Sequence, residues 1–474
     1  MESVFNVLAY RYASSSMVAI WSAEGKIRME RSLWIAVMRA QQSLGLQIPD
    51  EAIAAYEGVV GQVDVGSIEQ RERVTRHDVK ARIEEFCDLA GHEYVHMGMT
   101  SRDLTENVEQ LQVKRSLDLI FKKAIATLVK MKTLAIKDID TPLAARTHNV
   151  AAQVTSVGKR WAMFGEELAF SVGRFEEIIS AYRLRGLKGA VGTQKDILQL
   201  LENDAKKVQA LESAICQHLG FAKVFKNVGQ VYPRSLDTAV IDLLVELASG
   251  PSNFAKTLRL MAGQELACEG FATGQTGSSA MPHKMNSRSC ERINGFHTIL
   301  KGYQTMGAGL AGDQWNEGDV SCSVVRRVCL PDAFFAIDGL LETFLTVLNQ
   351  MEVNAAVVDS EVTRYLPFLA STSLLMEAVK QGVGREQAHS LVKKHALAAI
   401  RTMRAGETVE NTMLRNLAEE ADWPLSAEYM ESLMKAAKGE HGMAQEQVNA
   451  FTETVDAFIE NHPDAATIEP GVIL

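Results

Sequence analysis

Proline is scarce in this chain, and its spacing sets the tightest limit on the fold. Only ten of the 474 residues are proline, where average usage is about 5%. None lies between Pro49 and Pro142, and none between Pro142 and Pro233. Proline removes a backbone N–H and clashes with the preceding helical turn. Gaps of this size therefore leave room for several long, uninterrupted helices.

The apolar pattern fills those gaps with helix. Over residues 107–137, apolar side chains recur at Val108, Leu111, Leu117, Ile120, Ala124, Leu128, Met131 and Leu134. Most steps are three or four residues, the spacing of one helical face. At 1.5 Å per residue the segment predicts a helix roughly 45 Å long. A second helix is expected over 155–182. Ser235 is a plausible N-cap for a third, carrying Leu236, Val240, Leu243, Leu244 and Leu247. Pro251 suits the first turn of the next, and further helices are expected over 289–311 and 331–351. Few strand-like alternations separate them. The fold class is all-α, with a helical region over residues 1–100, a central long-helix bundle over 101–353 and a helical region over 354–474. Helices this long leave apolar surface uncovered in a compact monomer. Side-by-side packing between subunits is expected, with one elongated monomeric bundle as the alternative.

Composition narrows the partners. With 49 basic and 59 acidic residues the formal net charge is −10, which argues against nucleic acid or an anionic membrane as the main partner. No apolar run approaches the ~18 residues of a membrane span. Six scattered cysteines, with no C-x-x-C pair, read as reduced core residues of a cytoplasmic protein. The N-terminus lacks the pattern of a secretory signal.

Several short segments could carry chemistry. His92-Glu93-Tyr94-Val95-His96 fits H-E-x-x-H, in which two histidines one helical turn apart hold zinc and the glutamate acts as base. Gly91 and Gly98 flank it closely, a poor setting for the helix such a site needs. A zinc hydrolase is one rival, and a hydrogen-bonding role for His96 stands beside it. Residues 274–286 combine glycines, serines, Pro282, Lys284 and Asn286. Such a loop, with free N–H groups and a cation, can close over an anion or simply link two helices. Arg146-Thr147-His148-Asn149 is read as opening a long helix. Thr100 and Ser101 stand just before the longest helix, where hydroxyls and N–H groups either cap it or grip a carboxylate. Ser323, Arg326 and Arg327 suggest anion binding or a structural ion pair.

The loop Gly277-Ser278-Ser279-Ala280-Met281-Pro282-His283-Lys284-Met285-Asn286 closely resembles the signature of the fumarase/aspartase superfamily. Five further segments, together with Met99-Thr100-Ser101, resemble the branch acting on succinylated purine nucleotides. They are Arg11-Tyr12-Ala13-Ser14, Thr75-Arg76-His77-Asp78-Val79, Arg146-Thr147-His148, Gly229 to Arg234, and Arg364-Tyr365-Leu366-Pro367-Phe368.

That resemblance implies a three-domain fold whose central helices assemble into a homotetrameric core, with each active site built from three subunits. It implies β-elimination of fumarate, with Ser279 as base and His148 as acid. Lys284 and Asn286 would hold the carboxylate that takes up charge, Thr100 and Ser101 would grip a carboxylate, and His77 would assist. Glu291 would orient His148 or its neighbours. Arg11, Tyr12, Arg76, Asp78, Gln230, Arg292, Ser323 and Arg327 match nucleotide-contacting positions. No metal and no organic cofactor is implied, because the substrate supplies its own electron sink. Gly318 stands where many relatives have an arginine, Ser287 where many have proline, and Val150 where many have glutamine. Another fumarate-releasing enzyme, such as an argininosuccinate lyase, is the nearest rival.

Overall fold

The structure, a computed structural model, describes residues 6–271, 274–275, 280–281 and 283–471. It is built almost wholly of helices. The N-terminal part contains α1 (Val7–Arg11), α2 (Ser15–Trp21), α3 (Ala23–Ser43), α4 (Asp50–Val59), α5 (Val65–Thr75) and α6 (Asp78–Ala90). The centre contains α7 (Ser101–Lys137), α8 (Val157–Ala181), α9 (Lys195–Leu200), α10 (Ala205–His218), α11 (Ser235–Leu247), α12 (Ser249–Gly263), α13 (Arg288–Ala308) and α14 (Ser321–Gln350). The C-terminal part contains α15 (Ala355–Leu369), α16 (Ser371–Lys380), α17 (Arg385–Ala405), α18 (Met413–Ala418), α19 (Ala427–Gly439) and α20 (Ala444–Asn461).

The 37 residues of α7 give a rod about 55 Å long. It packs against α8 and α14, while α13 lies along α14. Its first half is buried on almost every side, polar residues included. Those polar groups are paired. Asp103 Oδ1 accepts from Arg185 Nη1 at 2.6 Å and from the N–H groups of Lys188 and Gly189. Glu106 pairs with Arg102 and Arg234, and Arg326 of α14 pairs with Asp237 and Glu109. A buried carboxylate without such partners would cost several kcal/mol.

One hydrophobic core joins the N-terminal and central helices. The chain returns to it at its end: Phe451 of α20 sits over Gly165 of α8, where a Cβ would lie 2.3 Å from the ring. A second core is formed by α15 to α19. Among the described residues, strands are limited to two short pairs. β1 (Pro142–Thr147) and β2 (Val150–Ser156) form an antiparallel hairpin, and β3 (Ala267–Cys268) pairs with β4 (Glu352–Val353).

Three expectations are corrected. Residues 146–149 do not open a helix; they end β1 and form the hairpin turn. Thr147 pairs with Val150, and the two turn residues, His148 and Asn149, have φ of 51° and 61°. Positive φ at both central positions is the signature of a type I′ turn, whose twist matches the strands. Helix α8 starts only after Ser156, whose Oγ accepts from Lys159 N–H at 3.1 Å. Next, α14 begins at Ser321, ten residues before Pro331, which lies inside it. The proline deprives the Arg327 carbonyl of its helical donor, but the ion pairs of Arg326 anchor the turns before it. Finally, Ser235 is the first residue of α11 rather than its cap.

Candidate active site

The candidate residues fall into distinct groups on one chain. In the first, Tyr12 follows α1, with Arg292 of α13 5.2 Å above its ring and Arg11 at 6.0 Å. Gly339 of α14 makes room for it, since a Cβ there would lie 2.9 Å from Tyr12 Cβ. A buried cluster fixes the segment: Ser14 N–H donates to Asp338 at 2.6 Å, and Lys123, paired with Asp338 and Glu342, donates to Ser14 Oγ at 3.1 Å. Burial pulls the Arg292 pKa down, although Tyr12 opposes the shift.

The second group surrounds the junction of α5 and α6. Arg76 ends α5 with φ 51°, and His77 caps α6, its Nδ1 accepting from Lys80 N–H at 3.3 Å. His77, Thr100, Ser101 and His96 line one cavity of about 420 Å3. Asp78 and Arg327 line the neighbouring one, of about 310 Å3. Burial opposes ionisation of Asp78, yet its carboxyl is held below the usual range by Arg82, whose Nη2 lies 3.0 Å away, by the Val79 N–H and by Arg327. Asp103 Oδ2 accepts from Thr100 N–H at 2.9 Å, so the start of α7 is rigid. Ser323 Oγ accepts from Arg102 Nη2 at 3.0 Å.

His96 belongs to this group through a route the zinc pattern misstated. Residues 92–96 run through a turn, not a helix, and His96 has φ 69°. Among the described residues no cluster of three or more potential metal ligands occurs. Trp34 Nε1 donates to His96 Nδ1 at 3.0 Å, which leaves Nε2 to carry the proton of the neutral ring. Burial pushes its pKa down to about 4, against the pull of Asp103. A neutral imidazole donor beside His77 and Thr100 is thus built in. The histidine pair in the sequence marked the place but not its chemistry. Arg102, which holds Ser323, gave no sequence signal at all.

Lys284, Asn286 and Glu291 line a third cavity, of about 680 Å3. The base of their loop is firm. Gly270, at φ 79°, lies so close to Gln350 that a Cβ would come within 2.0 Å of its carbonyl oxygen. Glu269 accepts from Ser289 and Cys290 N–H at 3.0 Å each, capping α13. Glu291 pairs with Arg259 at 3.9 Å. Ser279 lies outside the described residues. His148 stands exposed on the hairpin tip. Gln230 N–H donates to Glu317 O at 2.7 Å. Beside it Gly318 has φ 128°, and a Cβ there would lie 3.0 Å from Val231, a conformation an arginine adopts only with strain.

The candidate residues thus lie on a long-helix bundle, at a loop anchored by Glu269 and on a histidine-tipped hairpin. Comparison with known proteins gives the class, a lyase. The family model described as "Lyase" matches residues 9–302, and "Adenylosuccinate lyase C-terminus" matches residues 367–451. The adenylosuccinate lyase of Saccharomyces cerevisiae is 30% identical over 94% of this chain and 93% of its own length. That of Schistosoma mansoni is 28% identical over 100% and 99%, respectively. In fold, the chain is similar to the 3-carboxy-cis,cis-muconate lactonizing enzyme of Pseudomonas putida, with TM-score 0.82 and 22% identity over 96% of this chain and 100% of that one. A fumarate lyase from Mesorhizobium sp. BNC1 gives TM-score 0.79 and 19% identity over 95% and 100%. The chain belongs to the adenylosuccinate lyase family of the fumarase/aspartase superfamily.

Proposed function

We propose that the chain cleaves adenylosuccinate to AMP and fumarate, and the analogous succinylaminoimidazole-carboxamide ribotide to its amide and fumarate, in purine nucleotide synthesis. The observation that carries this is similarity to adenylosuccinate lyases along 94% of the chain.

The succinyl C–H beside a carboxylate is poorly acidic. A base removes that proton, the electron pair forms the C=C bond of fumarate, and the C–N bond breaks towards nitrogen, which takes a proton from an acid. Ser279 is the proposed base. A hydroxyl does this only where N–H groups and a cation stabilise the alkoxide, and Lys284 supplies the cation. His148 is the proposed acid. Lys284 and Asn286 hold the carboxylate on which charge develops. Thr100 and Ser101, at the N-terminus of α7, suit a carboxylate, with His77 and neutral His96 beside them. Arg11, Tyr12, Arg76, Asp78, Gln230, Arg292, Ser323 and Arg327 hold the nucleotide, and Glu291 orients His148 or a neighbour. The proposed reaction needs no metal or organic cofactor.

The partition of these residues among separate cavities of one chain supports a homotetramer with shared sites. Apolar residues exposed on the central helices, among them Met163 and Phe170 of α8, Leu260 of α12 and Val324 and Val328 of α14, suit the contacts such a tetramer needs. The six cysteines are free thiols, in keeping with a cytoplasmic enzyme. The ultraviolet change on mixing protein with adenylosuccinate tests the activity directly. Fumarate release from a substrate panel tests its specificity: preference for argininosuccinate over the nucleotide overturns the assignment.

A further inference from the structure

A cavity of about 430 Å3 lies between the His148 hairpin and the helices α15 and α17, within the size range of small-molecule sites. The proposed reaction uses none of it. Tyr365 and Phe368 of α15 and Ile400 of α17 give it an aromatic and aliphatic wall. Its charged lining residues are Arg146, Arg364 and Arg404, with no carboxylate among them, on a chain whose formal net charge is −10. Arg364 lies 5.6 Å from the centre of the Tyr365 ring, so cation and aromatic face are already side by side.

The polar groups behind the cavity are unbalanced. Arg146 Nη1 donates to Asn149 O at 3.1 Å, and Nη2 pairs with Glu361. Arg146 Nε and Glu361 Oε2 are nonetheless buried without a hydrogen-bond partner. Arg160 stands behind them, its Nη2 reaching only Ala144 O at 3.4 Å. Among the described residues Glu361 thus pairs with Arg146 alone while its charge also bears on Arg160, and Arg364 and Arg404 face the space unanswered by any lining acid. Guanidiniums bind phosphate oxygens in bidentate pairs, and flat rings stack on aromatic faces.

We propose that this cavity binds a second purine nucleotide, with its base against Tyr365 and Phe368 and its phosphate among Arg146, Arg364 and Arg404. The choice of a purine rests on the proposed function, which makes AMP a product present wherever the enzyme works. Asn149 and Val150 line the same cavity and directly follow His148 in the chain. The bound nucleotide is therefore in contact with the hairpin that presents the acid.

Equilibrium dialysis of the full-length enzyme against AMP tests this. About two AMP per subunit are expected in the wild type, and about one in Arg364→Ala/Arg404→Ala, whose second site weakens at least tenfold on losing both charge-assisted contacts. Fumarate release by the double variant should persist. Ile400→Trp, which fills the cavity without touching its charges, should also lose the second AMP, so the result does not hang on one folded variant. One AMP per subunit in the wild type overturns the proposal, as does a second AMP that survives both substitutions. Fumarate release from adenylosuccinate by the wild type is read separately: two bound AMP without cleavage would sink the proposed activity and still support the second site.

Discussion

His148 and His96 are both held off the helices at positive φ, and their surroundings differ. His148 is exposed on a turn, where its ring packs against little. Replacing it with glutamine should leave the thermal midpoint unchanged while kcat falls by about a hundredfold or more, the usual loss when a general acid is removed. A fall in stability matching the fall in rate would contradict that role. His96 is the reverse case. Its pKa drops from about 6.5 to about 4 on folding because burial disfavours the charged ring. Between those two values the unfolded chain binds the extra proton, so stability rises with pH there. The contribution is fully present above about pH 6.5, declines as pH falls towards 4 and changes no further below it. In His96→Gln, melting curves from pH 7 to pH 4 should lose less stability than the wild type. Equal losses would mean that the ring does not titrate in this window.

The hairpin shows what a sequence pattern conceals at the scale of an element. The long helices were legible because their apolar residues recur at steps of three and four with no proline to interrupt them. The hairpin was not, because its strands are short and His-Asn is a less familiar turn pair than Asn-Gly. Pro331 misled for a related reason: a proline marks a helix start when nothing else constrains the chain, but the ion pairs of Arg326 carry α14 through it. The turn makes a direct prediction. Asn tolerates left-handed backbone, whereas a β-branched residue there costs about 1–2 kcal/mol. Asn149→Val should therefore lower kcat by displacing His148, and Asn149→Gly should retain near-normal activity. Circular dichroism of both should match the wild type, since the bundle does not depend on the turn. Equal rates in the two variants would show that turn geometry does not position the imidazole.

In the whole molecule, the candidate residues were legible as motifs, but not their grouping, because residues far apart in the chain share no sequence pattern that says which of them the fold brings together. One chain keeps Tyr12 with Arg292, and His77 with Thr100 and Ser101, while Lys284 and Asn286 line another cavity and His148 stands on the hairpin. If the tetramer unites these groups, the acid and the base of each site come from different chains. A Ser279→Ala protein and a His148→Gln protein should then each be nearly inactive alone. Dissociated, mixed in equal amounts and reassembled, they should regain about a quarter of wild-type activity, because a site is intact when its serine comes from one variant and its histidine from the other, each with even odds. The recovered activity should vary with mixing ratio as the product of the two fractions, and so peak at equal amounts. Hybrid tetramers confirmed by mass spectrometry but as inactive as their parents would show that both groups come from one chain, and the hairpin and the loop of a single subunit would then have to close on each other.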